Sequence, residues 1–389
     1  MTMRSFQHID PALRAYVGPD AIKQIEKELV RLNCQRGVVF CGPTLARSSL
    51  LDVVRSGMRQ RCAGIFPRVR AHSPRSTIEE AVAFLRQRNA DAIVAVGGGS
   101  AAVTARAAAI LLAEGNDLEA LSTSFDEGGR THSPRLDTPK LPQLIIPTTP
   151  NTALVKAGTA VFDPVRKRRF ALFDPKTRAQ AVFIHPDFVM SAPRNLVISA
   201  SLDTLSLAIE GLMSRSGDPI SDALLIHAVR RLRSDICQLA SKDDAGLRVD
   251  MALAALLAGR GTDYTGAGIA TALGHAIGAA HHVENGLAKA VITPHTLRFN
   301  AEAAQPGLSK LAMAFCPEIE DKASFDGIID TLERMFRAIG VPRRLRDIGV
   351  PENALLKIAE NGMADWFLRS NPRQVNDVSE LRTILEAAW

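Results

Sequence analysis

Aromatic side chains are scarce in this chain, with 2 Trp, 2 Tyr and 15 Phe among 389 residues. So few Trp and Tyr leave little on which nucleobases could stack, which counts against a single-stranded nucleic acid ligand. Cysteine is scarce as well. Cys34, Cys41, Cys62, Cys237 and Cys316 are scattered and no two are spaced CxxC. That argues against a disulfide framework and a cysteine-based zinc site, and for a reducing cytoplasm with each thiol a small buried hydrophobe. No run of eighteen apolar residues is present. The longest weakly polar run, residues 266–280, carries His275, so no membrane-crossing helix and no membrane partner are expected. The opening MTMRSFQHIDPALR has no apolar stretch of the kind a secretory signal needs. Dense basic blocks are missing too. The 47 Lys+Arg exceed the 41 Asp+Glu by 6, but they are dispersed, so nucleic acid is not an expected partner.

What is present is an ordinary globular composition, 46% hydrophobic and 23% charged. The length exceeds what one hydrophobic core serves, so two domains are expected. Residues 21–32 read as an amphipathic helix, 37–41 as a short strand, 45–58 as a helix and 64–66 as a strand. Residues 77–88 read as a helix, 91–96 as a buried strand, 101–113 as an Ala-rich helix and 144–146 as a strand. Strands separated by helices predict a parallel sheet with right-handed crossovers. Residues 114–141 are polar and rich in turn formers, so they read as a loop excursion. Residues 161–184 read as a β-hairpin with a basic turn, Arg166–Arg169, followed by a strand at 181–184. From Pro193 onward helical periods dominate. The expected domains are residues 1–185, α/β, and residues 186–389, all-α.

The run Val96-Gly97-Gly98-Gly99-Ser100 joins a buried strand to a helix start. Glycines let a backbone turn tightly and approach a ligand closely. A helix start offers N–H groups and a positive dipole end, which suit a pyrophosphate. A plain strand-to-helix turn explains the same residues, and the run is not the GxGxxG fingerprint.

Taken with AIVAVGGGS (92–100), LIIPTT (144–149), the hairpin at 162–189, DTLSLAIEG (203–211) and the segment 274–304 that begins GHAIGAAHHVENG, the chain resembles the iron-containing alcohol dehydrogenases. Within that superfamily, of dehydroquinate synthase-like fold, it is most similar to the maleylacetate reductases. The resemblance implies an N-terminal dinucleotide-binding domain, a C-terminal helical domain, a site in the cleft between them, and a homodimer. It implies that Gly97, Gly98, Gly99 and Ser100 hold the pyrophosphate of NADH or NADPH, with Thr148 and Thr149 on the adenosine side. The family often has an acid after the first strand of this domain, where it meets the ribose hydroxyls. Gly42 stands there, so a 2′-phosphate is not repelled.

Metal-dependent members ligate the ion with one Asp and three His, donors suited to a divalent transition metal. The matching positions here are Asp203, Leu207, Thr271 and Asn285. Only Asp203 is retained, so no metal is expected. A rebuilt cluster of Asp203, His275, His281, His282 and Glu284 is the alternative. Maleylacetate reductases are described as working without a metal, and the resemblance makes His275 the proton donor, with Lys289 a second catalytic candidate. A packed helix histidine among small residues is the competing explanation of His275. Lys156, His281 and His282 are the expected contacts of a carboxylate-bearing substrate, and Lys289 and His295 lie in segments that face the cleft in the family. Two departures stand out. Val103 and Arg106 follow the glycines where many members carry Asp and Lys. Leu154 and Val155 replace a Ser/Glu pair in the loop at 150–156. The expected function is metal-independent, NAD(P)H-dependent reduction of a small acidic oxo or enoyl substrate in aromatic catabolism. The alternative is a lyase-like or binding role on the same scaffold.

Overall fold

The computed structural model describes residues 6–125, 131–166, 168–239, 241–315 and 324–389. Lys167 of the basic turn, Cys316 and residues 126–130 of the polar excursion lie outside the described residues. The chain forms two compact units, Pro11–Ala192 and, joined by residues 6–10, Pro193–Trp389.

In the first unit the strands are β1 (Arg14–Val17), β2 (Gly37–Phe40), β3 (Cys62–Phe66), β4 (Ala92–Gly97), β5 (Ser124–Phe125), β6 (Thr131–His132), β7 (Gln143–Pro147), β8 (Gly158–Asp163), β9 (Arg168–Phe173) and β10 (Ala179–Ile184). Its helices are α1 (Ile25–Arg31), α2 (Pro43–Ala46), α3 (Leu50–Met58), α4 (Arg75–Gln87), α5 (Gly99–Glu114), α6 (Leu118–Leu121) and α7 (Pro186–Met190). Six strands form one parallel sheet in the order β1-β10-β7-β4-β2-β3. Every residue of β2, β4 and β7 is buried, as their unbroken apolar runs require of strands covered on both faces. α4 buries Ile78, Ala81, Val82 and Leu85, the 3–4 spacing of one helix face. The expected hairpin is the antiparallel pair β8–β9, in register from Gly158↔Phe173 to Asp163↔Arg168.

Three local readings change. The helix expected over 45–58 is two helices, because Ser48 Oγ accepts the Leu50 N–H at 3.2 Å and so competes with helix continuation. β1 gave no signal in the sequence because three of its four residues are exposed; it joins the sheet edge by pairing with β10. Cys34 and Cys41 are buried and burial pushes both thiols up to about 11, but Cys237 is exposed and is not the buried hydrophobe expected. Alkylation of native protein followed by peptide mass analysis should therefore leave Cys34 and Cys41 unmodified until denaturant is added. Their modification in the native state would contradict this packing.

The second unit is helical among its described residues: α8 (Arg194–Met213), α9 (Pro219–Gln238), α10 (Ala245–Thr265), α11 (Ile269–His281), α12 (Asn285–Asn300), α13 (Gln305–Phe315), α14 (Phe325–Ala338), α15 (Leu355–Met363) and α16 (Val378–Ala388). Contrary to the sequence reading, α8 is long and apolar enough by length and composition to cross a membrane. Its apolar window is 78% buried inside the protein, which makes it the core helix around which the unit packs. The sequence hid this because Asp203, Glu210 and several Ser and Thr punctuate its apolar residues.

Candidate active site

In the sheet, β2 leads outward to β3, and the chain then returns to place β4 on the other side of β2. That reversal makes a switch point, and in open α/β sheets ligands bind beyond the carboxyl ends of such strands. Gly42 follows β2, and Gly97-Gly98-Gly99-Ser100 ends β4 and begins α5. Gly97 is paired with Pro147 of β7, which brings Thr148 and Thr149 alongside. The Thr148 N–H donates to Gly97 O at 3.0 Å.

The glycines differ in how strictly they are required, Gly97 by its backbone, Gly98 by a tight contact and Gly99 by neither. Gly97 has φ +145°, a conformation that side chains disfavour. A Cβ on Gly98 would stand 3.2 Å from Thr149 Oγ1, and one on Gly99 would stand 3.6 Å from Asn151 Oδ1. No side chain caps the first turn of α5, so this sixteen-residue helix presents its positive end toward a bare backbone cradle. Those features fit a dinucleotide pyrophosphate. Gly42 begins α2 without a side-chain cap, leaving the end of β2 with no carboxylate of its own.

The loop after Thr149 is better anchored than its sequence suggested. Asn151, which was not anticipated, is buried; its Nδ2 donates to Thr149 O at 3.0 Å and its Oδ1 accepts from Ala153 N–H. Arg106 is fully buried and donates to Ala153 O and Gly158 O, both at 2.7 Å. It therefore acts as a brace for this loop. Leu154 and Val155 point into the unit, at 0% and 7% exposure, so they are core contacts. Lys156 follows them, half-buried. At the hairpin tip Arg166 is turned onto Asp163, whose carboxyl the Arg166 N–H holds down at about 2.

In the helical unit, His275 lies on α11. Its Nδ1 is 2.8 Å from Asp365 Oδ2, and the two side chains are 17% and 14% exposed. Asp365 Oδ1 accepts the Phe367 N–H at 3.0 Å, which fixes the carboxylate, and the Phe367 ring stands 5.8 Å from the imidazole. A carboxylate on Nδ1 keeps that nitrogen protonated, directs exchange to Nε2 and stabilises the imidazolium. Asp365 is ninety residues from His275 in sequence, and nothing in its surroundings marked it. His281 and His282 close α11 more than a turn further on. Burial, then the charge of His282, holds His281 toward its neutral form, and exposed His282 ends the helix at φ +57°.

The donors for a divalent ion do not fit one. Lys289 Nζ lies 2.7 Å from Asp203 Oδ1, so a cation already faces the only retained carboxylate. Leu207 is buried at 4%. Thr271 Oγ1 donates to Glu210 Oε2 at 2.6 Å, and the Asn285 side chain abuts Gly278. The rebuilt cluster does not form either: Asp203 and His275 have separate partners, and among the described residues no three His, Cys, Asp or Glu side chains converge on one point.

Comparison with known proteins agrees with this architecture. Residues 12–186 match the iron-containing alcohol dehydrogenase model, and residues 197–389 match the C-terminal model of the Fe-containing alcohol dehydrogenase family. The NAD-dependent methanol dehydrogenase of Bacillus methanolicus is 26% identical, over 96% of this chain and 97% of that protein. The lactaldehyde reductase of Escherichia coli K12 is 27% identical over the same shares. The maleylacetate reductase of Agrobacterium tumefaciens shares the fold with a TM-score of 0.80 at 21% identity, covering 100% of this chain and 99% of that one. The chain thus belongs to the iron-containing alcohol dehydrogenase family of oxidoreductases.

Proposed function

We propose that the protein is an NAD(P)H-dependent reductase of a small carboxylate-bearing carbonyl compound, with His275 as proton donor and no metal ion. The observation that carries this reading is the His275–Asp365 pair at 2.8 Å. Relatives named for alcohols and aldehydes, a methanol dehydrogenase and a lactaldehyde reductase, support the redox class. The fold shared with maleylacetate reductase supports an acidic oxo substrate such as maleylacetate. A nicotinamide, when bound, supplies the hydride. His275 Nε2–H hydrogen-bonds the substrate oxygen, polarises the carbonyl and gives up its proton as negative charge develops there. Asp365 balances the imidazolium before that transfer. Lys289 supports α11 behind His275. Lys156 of the sheet unit and His281 and His282 of the helical unit are the basic groups proposed for the substrate carboxylate, the half-buried His281 mainly as a neutral hydrogen-bond donor.

The direct test mixes the protein with NADH or NADPH and maleylacetate or related oxo acids and follows loss of the reduced nicotinamide absorbance. Cofactor binding is measured separately by calorimetry. The absence of both turnover and cofactor binding would sink the reading and leave a non-redox role on this scaffold. A second experiment addresses the end of β2. Gly42→Asp places a carboxylate there, and a Cβ at this position meets only Val69 O at 3.6 Å, so the fold accommodates it. The ratio of the Kd values for NADPH and NADH should rise by about tenfold, because the new charge repels a 2′-phosphate and accepts from ribose hydroxyls. An unchanged ratio would place the adenosine ribose elsewhere.

A further inference from the structure

Lys289 is 1% exposed, and a lysine is buried to that extent only where carboxylates balance it. Asp203 provides one, 2.7 Å from Nζ. The second is Glu210, two turns further along α8 and 2% exposed, on which the Lys289 charge also acts. Glu210 is in turn tied to the start of α11: Oε2 accepts from Thr271 Oγ1 and Oε1 accepts from Ala270 N–H, both at 2.6 Å. Burial pushes the Glu210 carboxyl up, while the Thr271 hydroxyl and the Lys289 charge draw it back down.

The sequence makes room for this arrangement. A Cβ on Gly274 would stand 2.6 Å from Lys289 Cγ, so the lysine stem crosses α11 in a slot that only glycine leaves, immediately before His275. An ammonium carried by α12 thus faces Asp203 of α8 directly, its charge reaches Glu210 on the same helix, and its stem lies in the glycine slot of α11. Asp203 and Thr271 hold two of the positions that the family resemblance assigns to metal ligands.

We propose that the Lys289 ammonium is the resident cation of this centre, taking the place of a divalent ion, and that it positions α11, and with it His275, against α8. The proposal rests on the family reading of Asp203 and Thr271 as ligand positions. It makes the unit independent of metal by construction, since the cation is part of the chain and is held 2.7 Å from the Asp203 carboxylate.

The test is made on the full-length protein. Elemental analysis of wild type purified without chelator should find no stoichiometric metal, and EDTA, Zn²⁺ or Mn²⁺ should leave its Tm unchanged. Lys289→Met keeps a stem of similar length without the charge and should lower the Tm by about 10 °C, since it leaves half-buried Asp203 and buried Glu210 without their cation. Combining it with Asp203→Asn should recover part of that loss, because one of the two charges is then gone; a stem that acted only by packing would give no recovery. One tightly held metal ion per wild-type chain would overturn the proposal, as would an unchanged Tm in Lys289→Met or no recovery in the double variant. Should Lys289→Met not fold, the metal content and chelator response of wild type decide alone. Calorimetry of wild type with NADH and NADPH tests the redox reading separately, so failure of one is distinguishable from failure of the other.

Discussion

Turnover by a His275→Ala protein is expected to fall by about 10²–10⁴-fold, the range for loss of a positioned general acid, while its affinity for NADH and NADPH stays unchanged. The two effects separate because His275 belongs to the helical unit, whereas the glycine cradle belongs to the sheet unit. Asp365→Asn should show a smaller loss, about 10- to 100-fold. The amide keeps an oxygen that accepts the Phe367 N–H, so the short helix Trp366–Ser370 stays capped. What is lost is the negative charge on Nδ1, which orients the ring and favours the imidazolium. Asp365→Ala would remove the cap as well and mix a folding effect into the result. Steady-state kinetics with the best oxo acid substrate, together with cofactor titration, measure both quantities. Unimpaired kcat in His275→Ala would remove the histidine from the reaction and leave it as a packed helix residue.

How legible this site was depends on the range of the interactions that build it. The cradle was readable because β4, its glycines and α5 are contiguous, and each has a local cause: an apolar run, a positive φ at Gly97, an Ala-rich helix. Thr148 and Thr149 were readable only through family resemblance, since the β4–β7 pairing that brings them to Gly97 is a tertiary fact. Asp365 was invisible for the same reason, ninety residues from its partner in a segment of no distinctive pattern. Lys289 was recognised as a basic group but not as the partner of Asp203, because the slot it occupies exists only once α11 and α12 pack at Gly274. Arg106 and Leu154 misled in the other direction. Read as departures from the family pattern, Arg106 after the glycines and Leu154 in the loop, they are the brace and the core contact that fix that loop. The split between α2 and α3 was legible in principle, from the Arg47-Ser48-Ser49 interruption, but helical periodicity on either side outweighed it. α8 shows the limit of counting apolar residues: Glu210, Ser201, Thr204 and Ser206 are buried with partners inside the unit, so they do not mark an exposed face.

Gly98→Val is expected to weaken NADH and NADPH binding by about 10- to 100-fold while leaving the protein folded, and the contrast with Gly97 explains why. Gly98 has φ −76° and ψ −167°, extended backbone that any residue adopts, so valine brings no backbone strain. Its Cβ would meet Thr149 Oγ1 at 3.2 Å, a contact relieved by a small hydroxyl shift. The remaining methyl groups fall in the cradle ahead of α5, where the pyrophosphate must approach the backbone N–H groups closely. Overpacking of about 1–3 kcal/mol in such a site corresponds to the stated loss of affinity. Gly97→Ala differs in kind. It forces a Cβ onto φ +145° and to within 3.2 Å of Ala101 Cβ, so it should lower Tm whether or not a cofactor is present. Calorimetric Kd values for both cofactors, set beside melting curves with and without them, distinguish the two variants. If Gly98→Val bound NAD(P)H as tightly as wild type, the cradle at α5 would not be where the pyrophosphate sits, and the dinucleotide reading of the sheet unit would fail with it.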